Sequence, residues 1–154
     1  MLPEFSLELL RRSKEQGLHT TIETCGLTSW PTLESLLSFT DLILYDIKCL
    51  DPVRHQHATG KHNRLIIENA KKIAKNKAMK IRVPLIPGFN DSVEEIRAIL
   101  QFVKEELKLS SADIDLLPYN KLGESKYELL ERGYSSIHTF QKYGLPMTGC
   151  PVVL

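Results

Sequence analysis

Charged residues follow apolar stretches of this sequence in a pattern that could build a binding pocket. Asp46 and Lys48 stand two positions apart at the end of "LILYDIK", and Glu23 and Thr24 end "LHTTIET". Arg82 lies within "MKIRVPLIPG". Two carboxylates, an ammonium and a guanidinium that converge would form a mixed-charge pocket. Such a pocket suits a zwitterionic or polar small molecule.

The stretches that carry these residues are predicted as strands, because they are apolar or β-branched and end near turn residues. The four are LHTTIET (18–24), DLILYDIK (41–48), MKIRVPLIPG (79–88) and ADIDLLPY (112–119), the last followed by Asn120 and Lys121. Residues i and i+2 of a strand face the same side, so Asp46 and Lys48 share one face. The apolar run of the second strand predicts that both of its faces are covered.

Helical patterns separate these strands and predict an α/β fold with a parallel sheet and right-handed crossovers. The predicted helices run from Pro3 to Gln16, within 25–39, from Asp51 to Gly60, and over 63–77, 90–109 and 135–144; 150–154 is a predicted terminal strand. Ser29 is a predicted helix cap, and Ser92 with Glu95 fits a capping box. The helix after Ser92 has a predicted apolar stripe of Val93, Ile96, Ile99, Leu100, Val103 and Leu107.

The length of the chain limits the fold. Its 154 residues suit a single domain, 1–154, but a closed eight-stranded barrel usually needs about 250. Only four strands are clear, and a helix comes first. The chain is therefore either a small open sheet or part of a larger barrel.

The composition is that of an ordinary globular protein, with 42% hydrophobic residues, 25% charged residues and a net charge of +1. This balance gives no indication of a nucleic-acid partner, and no apolar run is long enough to span a membrane. Cys25, Cys49 and Cys150 are scattered and odd in number. They predict no disulfide framework and favour a reducing cytoplasm.

Each candidate residue also has a simpler interpretation. Asp46 and Lys48 could be a solvated strand end, with Asp51 capping the next helix. Alternatively, Lys48 could be the Schiff-base lysine of an aldolase-like barrel. Arg82 could be an internal ion-pair partner. His55 and His57 have a spacing found in metal sites, but positions i and i+2 of an exposed helix point apart. The cysteine spacing does not predict zinc or cluster binding.

Five motifs in order carry a family resemblance: "IETCG", "DLILYDIKCLDP", "HATG", "IRVPLIPGFND" and "LLPYNKLGESKYELL". Together they resemble the activating enzymes of glycyl-radical enzymes, such as the pyruvate formate-lyase activating enzyme, from Leu2 to about Gly133. The resemblance implies a radical S-adenosylmethionine (SAM) enzyme with a partial βα barrel. It also implies a four-iron, four-sulfur cluster, a glycyl-radical enzyme as protein substrate and an electron donor such as flavodoxin.

The resemblance also implies roles for individual residues. Those implied to bind SAM are Asp46, Ile47, Lys48, Arg82 and Asn120, the last standing where the family usually has histidine. Those implied to form a cation site are Glu23, Thr24 and Asp46. No residue of this chain is assigned a catalytic role.

The sequence departs from the family in two motifs, since it contains neither C-x-x-x-C-x-x-C nor G-G-E. We therefore expect the C-terminal portion of a radical SAM barrel that lacks its N-terminal βα units. The chain alone should hold no cluster and be inactive. The alternative is a non-catalytic remnant, or a fragment that binds SAM or a partner. Loss of the first strands should expose an edge and favour a homodimer through 5–22.

Overall fold

The computed structural model describes residues 2–119 and shows a four-stranded parallel sheet whose strands follow the order of the chain. The strands are β1 Thr21–Thr24, β2 Leu42–Asp46, β3 Ala78–Pro84 and β4 Ile114–Leu117. All three neighbouring pairs are parallel. The predicted α/β fold and partial barrel are confirmed, although each strand is shorter than its apolar stretch. The predicted helix at 135–144 and strand at 150–154 lie outside the described residues.

Within residues 2–119, five α-helices precede or connect the strands. They are α1 Pro3–Glu15, α2 Trp30–Leu37, α3 Pro52–Thr59, α4 Arg64–Ile73 and α5 Val93–Glu105, and a short 3-10 turn, Ser111–Asp113, leads into β4. The predicted end signals act as expected at two of them. Ser29 accepts a hydrogen bond from the Thr32 N–H at the start of α2, and Asp51 accepts two from the first turn of α3. No helix among the described residues is long and apolar enough to cross a membrane.

The start of α5 differs from the prediction. Ser92 accepts from the Glu95 N–H at 3.2 Å, but the Glu95 carboxylate does not complete a capping box. It accepts instead from the Cys49 thiol at 3.3 Å and from Arg54. The predicted stripe of α5 was also too wide, because Val93 and Leu100 are exposed. Only the Ile99, Val103 and Leu107 part of it is fully buried.

The hydrophobic core lies between one face of the sheet and helices α2, α4 and α5. Alternate strand residues fill it from the sheet side: Ile43, Tyr45, Ile47, Met79, Ile81 and Val83. Helix residues at the spacing of one helical face fill it from the other: Leu33, Leu37, Ile66, Ala70, Ile73, Ile99 and Val103. Burial of this apolar surface is the main source of stability for the sheet.

The second face of the sheet carries charge. Leu42 and Leu44 on this face are half-buried, so within the described residues it is less completely covered than the helix face, where Ile43 and Tyr45 are fully buried. All the core helices lie on one side, as they do on the outside of a βα barrel. The second face corresponds to the inside of such a barrel, where side chains meet ligands.

The β1–α2 loop is held against Tyr45. The Tyr45 hydroxyl donates to the Ile66 carbonyl at 2.7 Å, and its ring lies where a Cβ at Gly26 would stand. Gly26 also has a φ of +69°, which only glycine adopts without strain. Glycine is therefore required here for two separate reasons, close packing and backbone conformation.

We predict that Gly26→Ala destabilises the chain more than Gly60→Ala does. Both glycines have positive φ, but nothing lies within 4 Å of a Cβ at Gly60. Backbone strain alone should lower the free energy of unfolding of Gly60→Ala by about 1 kcal/mol. Overpacking should lower that of Gly26→Ala by roughly another 1–3 kcal/mol. Urea unfolding of both variants measures the difference. Equal losses would show that Tyr45 moves aside at little cost.

Candidate functional site

Asp46 and Lys48 lie at the carboxyl end of β2, on the face of the sheet away from the helices. Both are half-buried. The Asp46 Oδ1 atom is buried and accepts no hydrogen bond from any described residue. Lys48 forms no ion pair within residues 2–119. A buried carboxylate oxygen without a donor is costly, so this atom marks a place where a ligand can donate a hydrogen bond.

Arg82 and Glu23 complete the charged row. Parallel pairing sets Arg82 directly beside Asp46, yet its guanidinium reaches past β2 to form an ion pair with Glu23 on β1. The interpretation of Arg82 as an internal ion-pair partner is therefore correct. Because the Arg82 guanidinium pairs with Glu23, it does not donate to the Oδ1 atom of Asp46.

The environment of Asp46 raises the pKa of its carboxyl group. Burial is the largest cause, and the negative charge of Glu23 acts in the same direction. The positive charges of Lys48 and Arg82 oppose it. Ionisation of Asp46 therefore costs free energy in the folded chain. Hydroxyl groups of a ligand that donate hydrogen bonds to the carboxylate would lower this cost.

Three asparagine side chains, each almost fully buried, hold the loops at the carboxyl edge of the sheet. Asn69 of α4 donates to the carbonyls of Gly26 and Thr28 after β1. Asn63 donates to the carbonyls of Cys49 and Leu50 after β2. Asn90 joins the loops after β2 and β3. Buried backbone carbonyls need such donors, and the sequence analysis missed all three residues.

The remaining predicted site residues lie as follows. Ile47 has its side chain in the core, and only its backbone, whose N–H donates to the Arg82 carbonyl at 3.0 Å, faces the site edge. Thr24 is buried on the helix face, where its hydroxyl accepts from the Gly26 N–H. Glu23 and Asp46 therefore come together, but the Thr24 side chain does not join them. Asn120 and Lys121 lie outside the described residues.

His55 and His57 point apart as predicted, but α3 is not fully exposed. His55 is buried, and its Nδ1 lies 2.7 Å from the Lys61 carbonyl, which can only accept. Burial lowers the pKa of His55. His57 is exposed. Among residues 2–119, no group of three or more histidine, cysteine, aspartate or glutamate side chains could hold a metal ion.

Comparison with known proteins gives a consistent set of relatives, although no family model matches the sequence. The chain is 44% identical over 133 residues to the isethionate sulfite-lyase activating enzyme of Oleidesulfovibrio alaskensis. It is 38% identical over 134 residues to the 4-hydroxyphenylacetate decarboxylase activating enzyme of Clostridioides difficile. These alignments cover 84% and 85% of this chain, but only 42% of each relative.

Solved structures agree with the sequence relatives. A domain of the pyruvate-formate lyase-activating enzyme from Bacteroides vulgatus superimposes with a TM-score of 0.70 at 28% identity, covering 94% of this chain and 88% of that one. Streptococcus suis SuiB bound to S-adenosylmethionine superimposes with a TM-score of 0.58 at 19% identity, covering 89% of this chain and 36% of SuiB. The second likeness shows the fold alone. None of the relatives named here is an aldolase, so the Schiff-base interpretation of Lys48 gains no support.

We predict that Asp46→Asn makes the chain more stable at neutral pH. The folded pKa of Asp46 lies above its ordinary value of 3.8, so just above that value the folded chain binds more protons than the unfolded chain. The free energy of unfolding contributed by this group therefore falls as pH rises through this interval. Asn at this position does not titrate, so the variant's free energy of unfolding does not fall in this way. The variant should therefore be more stable than the unaltered chain at pH 7, and this difference should disappear below pH 3.8.

Urea unfolding over a pH series measures this effect. Asp115→Asn is the control, because Asp115 is a carboxylate on the same sheet face that already pairs with Lys80 at 3.1 Å. A less stable Asp46→Asn variant at pH 7 would contradict the prediction. It would mean that the attraction of Lys48 and Arg82 outweighs the burial of the carboxylate.

Proposed function

We propose that this chain, which belongs to the family of the glycyl-radical enzyme activating enzymes, forms a SAM-binding wall of such an enzyme. The chain spans 42% of the length of the first relatives named above, so the activity of a whole activating enzyme is part of the proposal. That activity is the formation of a glycyl radical on a partner enzyme in the cytoplasm, with electrons from a donor such as flavodoxin. The glycyl-radical enzyme that serves as partner is left open.

The observation that carries this proposal is the buried, unpartnered Oδ1 atom of Asp46. It is a hydrogen-bond acceptor at the carboxyl end of β2, and no residue among 2–119 donates to it. Ribose hydroxyl groups are donors of the required kind. Two residues further on, Lys48 presents an ammonium with no ion pair among these residues, and a carboxylate of the ligand can pair with it.

The residues present fit SAM, which carries both a ribose and an amino-acid carboxylate. When bound in this family, SAM supplies the 5′-deoxyadenosyl group that removes hydrogen from glycine. Asp46 would orient the ribose, and Lys48 would hold the carboxylate. Arg82 and Glu23 would keep a fixed charge distribution beside them. Binding in this way lowers the cost of the buried Asp46 charge.

The residues present do not fit a four-iron, four-sulfur cluster. The sequence has no C-x-x-x-C-x-x-C motif, and the two described cysteines do not belong to any group that could hold a metal. No step of the reaction is assigned to a cluster on this chain. This mismatch supports the alternative, a fragment that binds SAM or a partner without catalysing the reaction alone.

We predict that the chain binds SAM, and that Asp46→Asn and Lys48→Met each weaken binding by about tenfold or more, as for a lost hydrogen bond to a charged group. Isothermal titration calorimetry with SAM measures the dissociation constants. Lys80→Met and Asp115→Asn are matched controls, since these residues pair with each other on the same face. Absence of SAM binding to the unaltered chain, or equal weakening by the controls, would refute the assignment.

We further propose that the chain forms a homodimer through α1 and β1. Phe5 and Leu9 of α1 are 66% and 55% exposed, and β1 is an edge strand within the described sheet. Exposed edges and apolar patches favour association with another chain.

We predict that a Phe5→Ser, Leu9→Ser double variant shifts the chain from dimer to monomer in light scattering coupled to size exclusion at micromolar concentration. Loss of both apolar side chains removes much of the proposed contact while disturbing no buried residue. Val53→Ser is the control, because Val53 is 73% exposed on α3, outside the proposed contact. A monomeric unaltered chain, with β1 amides protected from hydrogen exchange, would disprove the dimer.

A further inference from the structure

The loop that follows β2 is fixed by side-chain amides rather than by other backbone groups. Three consecutive carbonyls, those of Lys48, Cys49 and Leu50, each accept a hydrogen bond from an asparagine side chain. Asn63 serves the second and third. Asn90, from the segment after β3, serves the first, which belongs to the proposed SAM-binding lysine.

Asn90 is fully buried and uses both ends of its amide. Its Nδ2 donates to the Lys48 carbonyl at 2.7 Å and to the Pro84 carbonyl at 2.8 Å. Its Oδ1 accepts from the Ile86 N–H at 2.7 Å. Two acceptors and one donor surround it, so the orientation of the amide is fixed by its partners. Neither aspartate nor alanine can replace these three bonds.

We infer that Asn90 is a positioning residue for SAM binding, acting through the backbone of Lys48; the inference rests on the proposed function. Asn90 donates a hydrogen bond to the backbone carbonyl of Lys48, which is bonded to the Cα from which the long side chain extends. The bond also fixes the spacing between the end of β2 and the end of β3, which carries Arg82. A charge-assisted hydrogen bond weakens when its distance or angle departs from the preferred geometry, so a shift of the Lys48 backbone would weaken the pairing of its ammonium with a ligand carboxylate.

A merely structural asparagine in the same fold provides the comparison. Asn69 is equally buried and donates to two loop carbonyls, at 2.8 and 3.0 Å. Its loop follows β1 and holds none of the residues proposed to contact SAM. Loss of either amide leaves two loop carbonyls without donors. Asn90→Ala also leaves the Ile86 N–H without its acceptor, whereas Asn69→Ala removes a buried Oδ1 that has no partner among the described residues. Asn90→Ala should therefore reduce stability more, so SAM binding is compared under conditions in which urea unfolding shows both variants to be fully folded. Only the loss of the Asn90 side chain should change the position of the Lys48 backbone.

The test compares Asn90→Ala, Asn69→Ala, Lys48→Met and the Asn90→Ala, Lys48→Met double variant by SAM calorimetry, with urea unfolding in parallel. We expect Asn90→Ala to weaken SAM binding about tenfold and Asn69→Ala less than about twofold. In the Lys48→Met background, Asn90→Ala should have little further effect, because its action passes through Lys48. Equal effects of the two alanine variants, or an undiminished effect without Lys48, would overturn the inference.

A milder variant covers the case in which Asn90→Ala fails to fold, and an NMR measurement covers the case in which SAM fails to bind. Asn90→Ser keeps one hydroxyl donor and serves as the milder variant. In the chain without ligand, the NMR signal of the Lys48 Cε group should move towards its unfolded position in Asn90→Ser and stay in place in Asn69→Ser. Absence of SAM binding with this NMR difference intact refutes the proposed function alone. An unmoved Lys48 signal in Asn90→Ser refutes the positioning role.

Discussion

The placement of the charged site depends on hydrogen bonds to backbone carbonyls that the strands leave behind at their carboxyl ends. A parallel ladder satisfies these groups only as far as the strand continues. Beyond it the chain turns, and the buried carbonyls need donors from elsewhere. In this protein the donors are the amides of Asn63, Asn69 and Asn90. Asn63 holds the loop after β2 from within the same βα unit. Asn69 and Asn90 each hold a loop of the preceding unit, so the site edge becomes fully fixed only when the next part of the chain has packed.

The two faces of the sheet differ in character: one carries the apolar core and the other carries the charged residues. The helix face is apolar from β2 to β3 and contains the fully buried core. The other face carries Glu23, Asp46, Lys48 and Arg82, of which only two are joined as an ion pair. Leaving Asp46 buried without a donor lowers the stability of the folded chain. The apolar face, which makes the larger contribution, offsets this cost, and under the proposed function SAM would reduce it by donating to Asp46.

The sequence predicted the parts of this protein that depend on periodicity and local signals. The two-residue period placed Asp46 and Lys48 on one face, and the caps at Ser29 and Asp51 followed from residue type and position. The amides were not predictable in this way, because asparagine before a helix or in a turn is usually explained locally. Asn69 lies within α4, and its partners are more than 40 positions away. Glu95 was assigned a local cap but bonds Cys49 and Arg54 instead. Long-range partners are decided by packing, which a single sequence does not show.

Glu23 brings together two interpretations that the sequence kept apart. The family resemblance implies that Glu23 forms a cation site with Asp46, whereas in the structure Glu23 forms an ion pair with the guanidinium of Arg82. That guanidinium also attracts Asp46, since its charge opposes the rise in the pKa of the Asp46 carboxyl group. The two carboxylates thus already share one positive charge. A metal cation bound by the side chains of both would stand close to the Arg82 guanidinium, whose positive charge would repel it. The ion pair of Arg82 with Glu23 therefore works against a cation site on these two carboxylates.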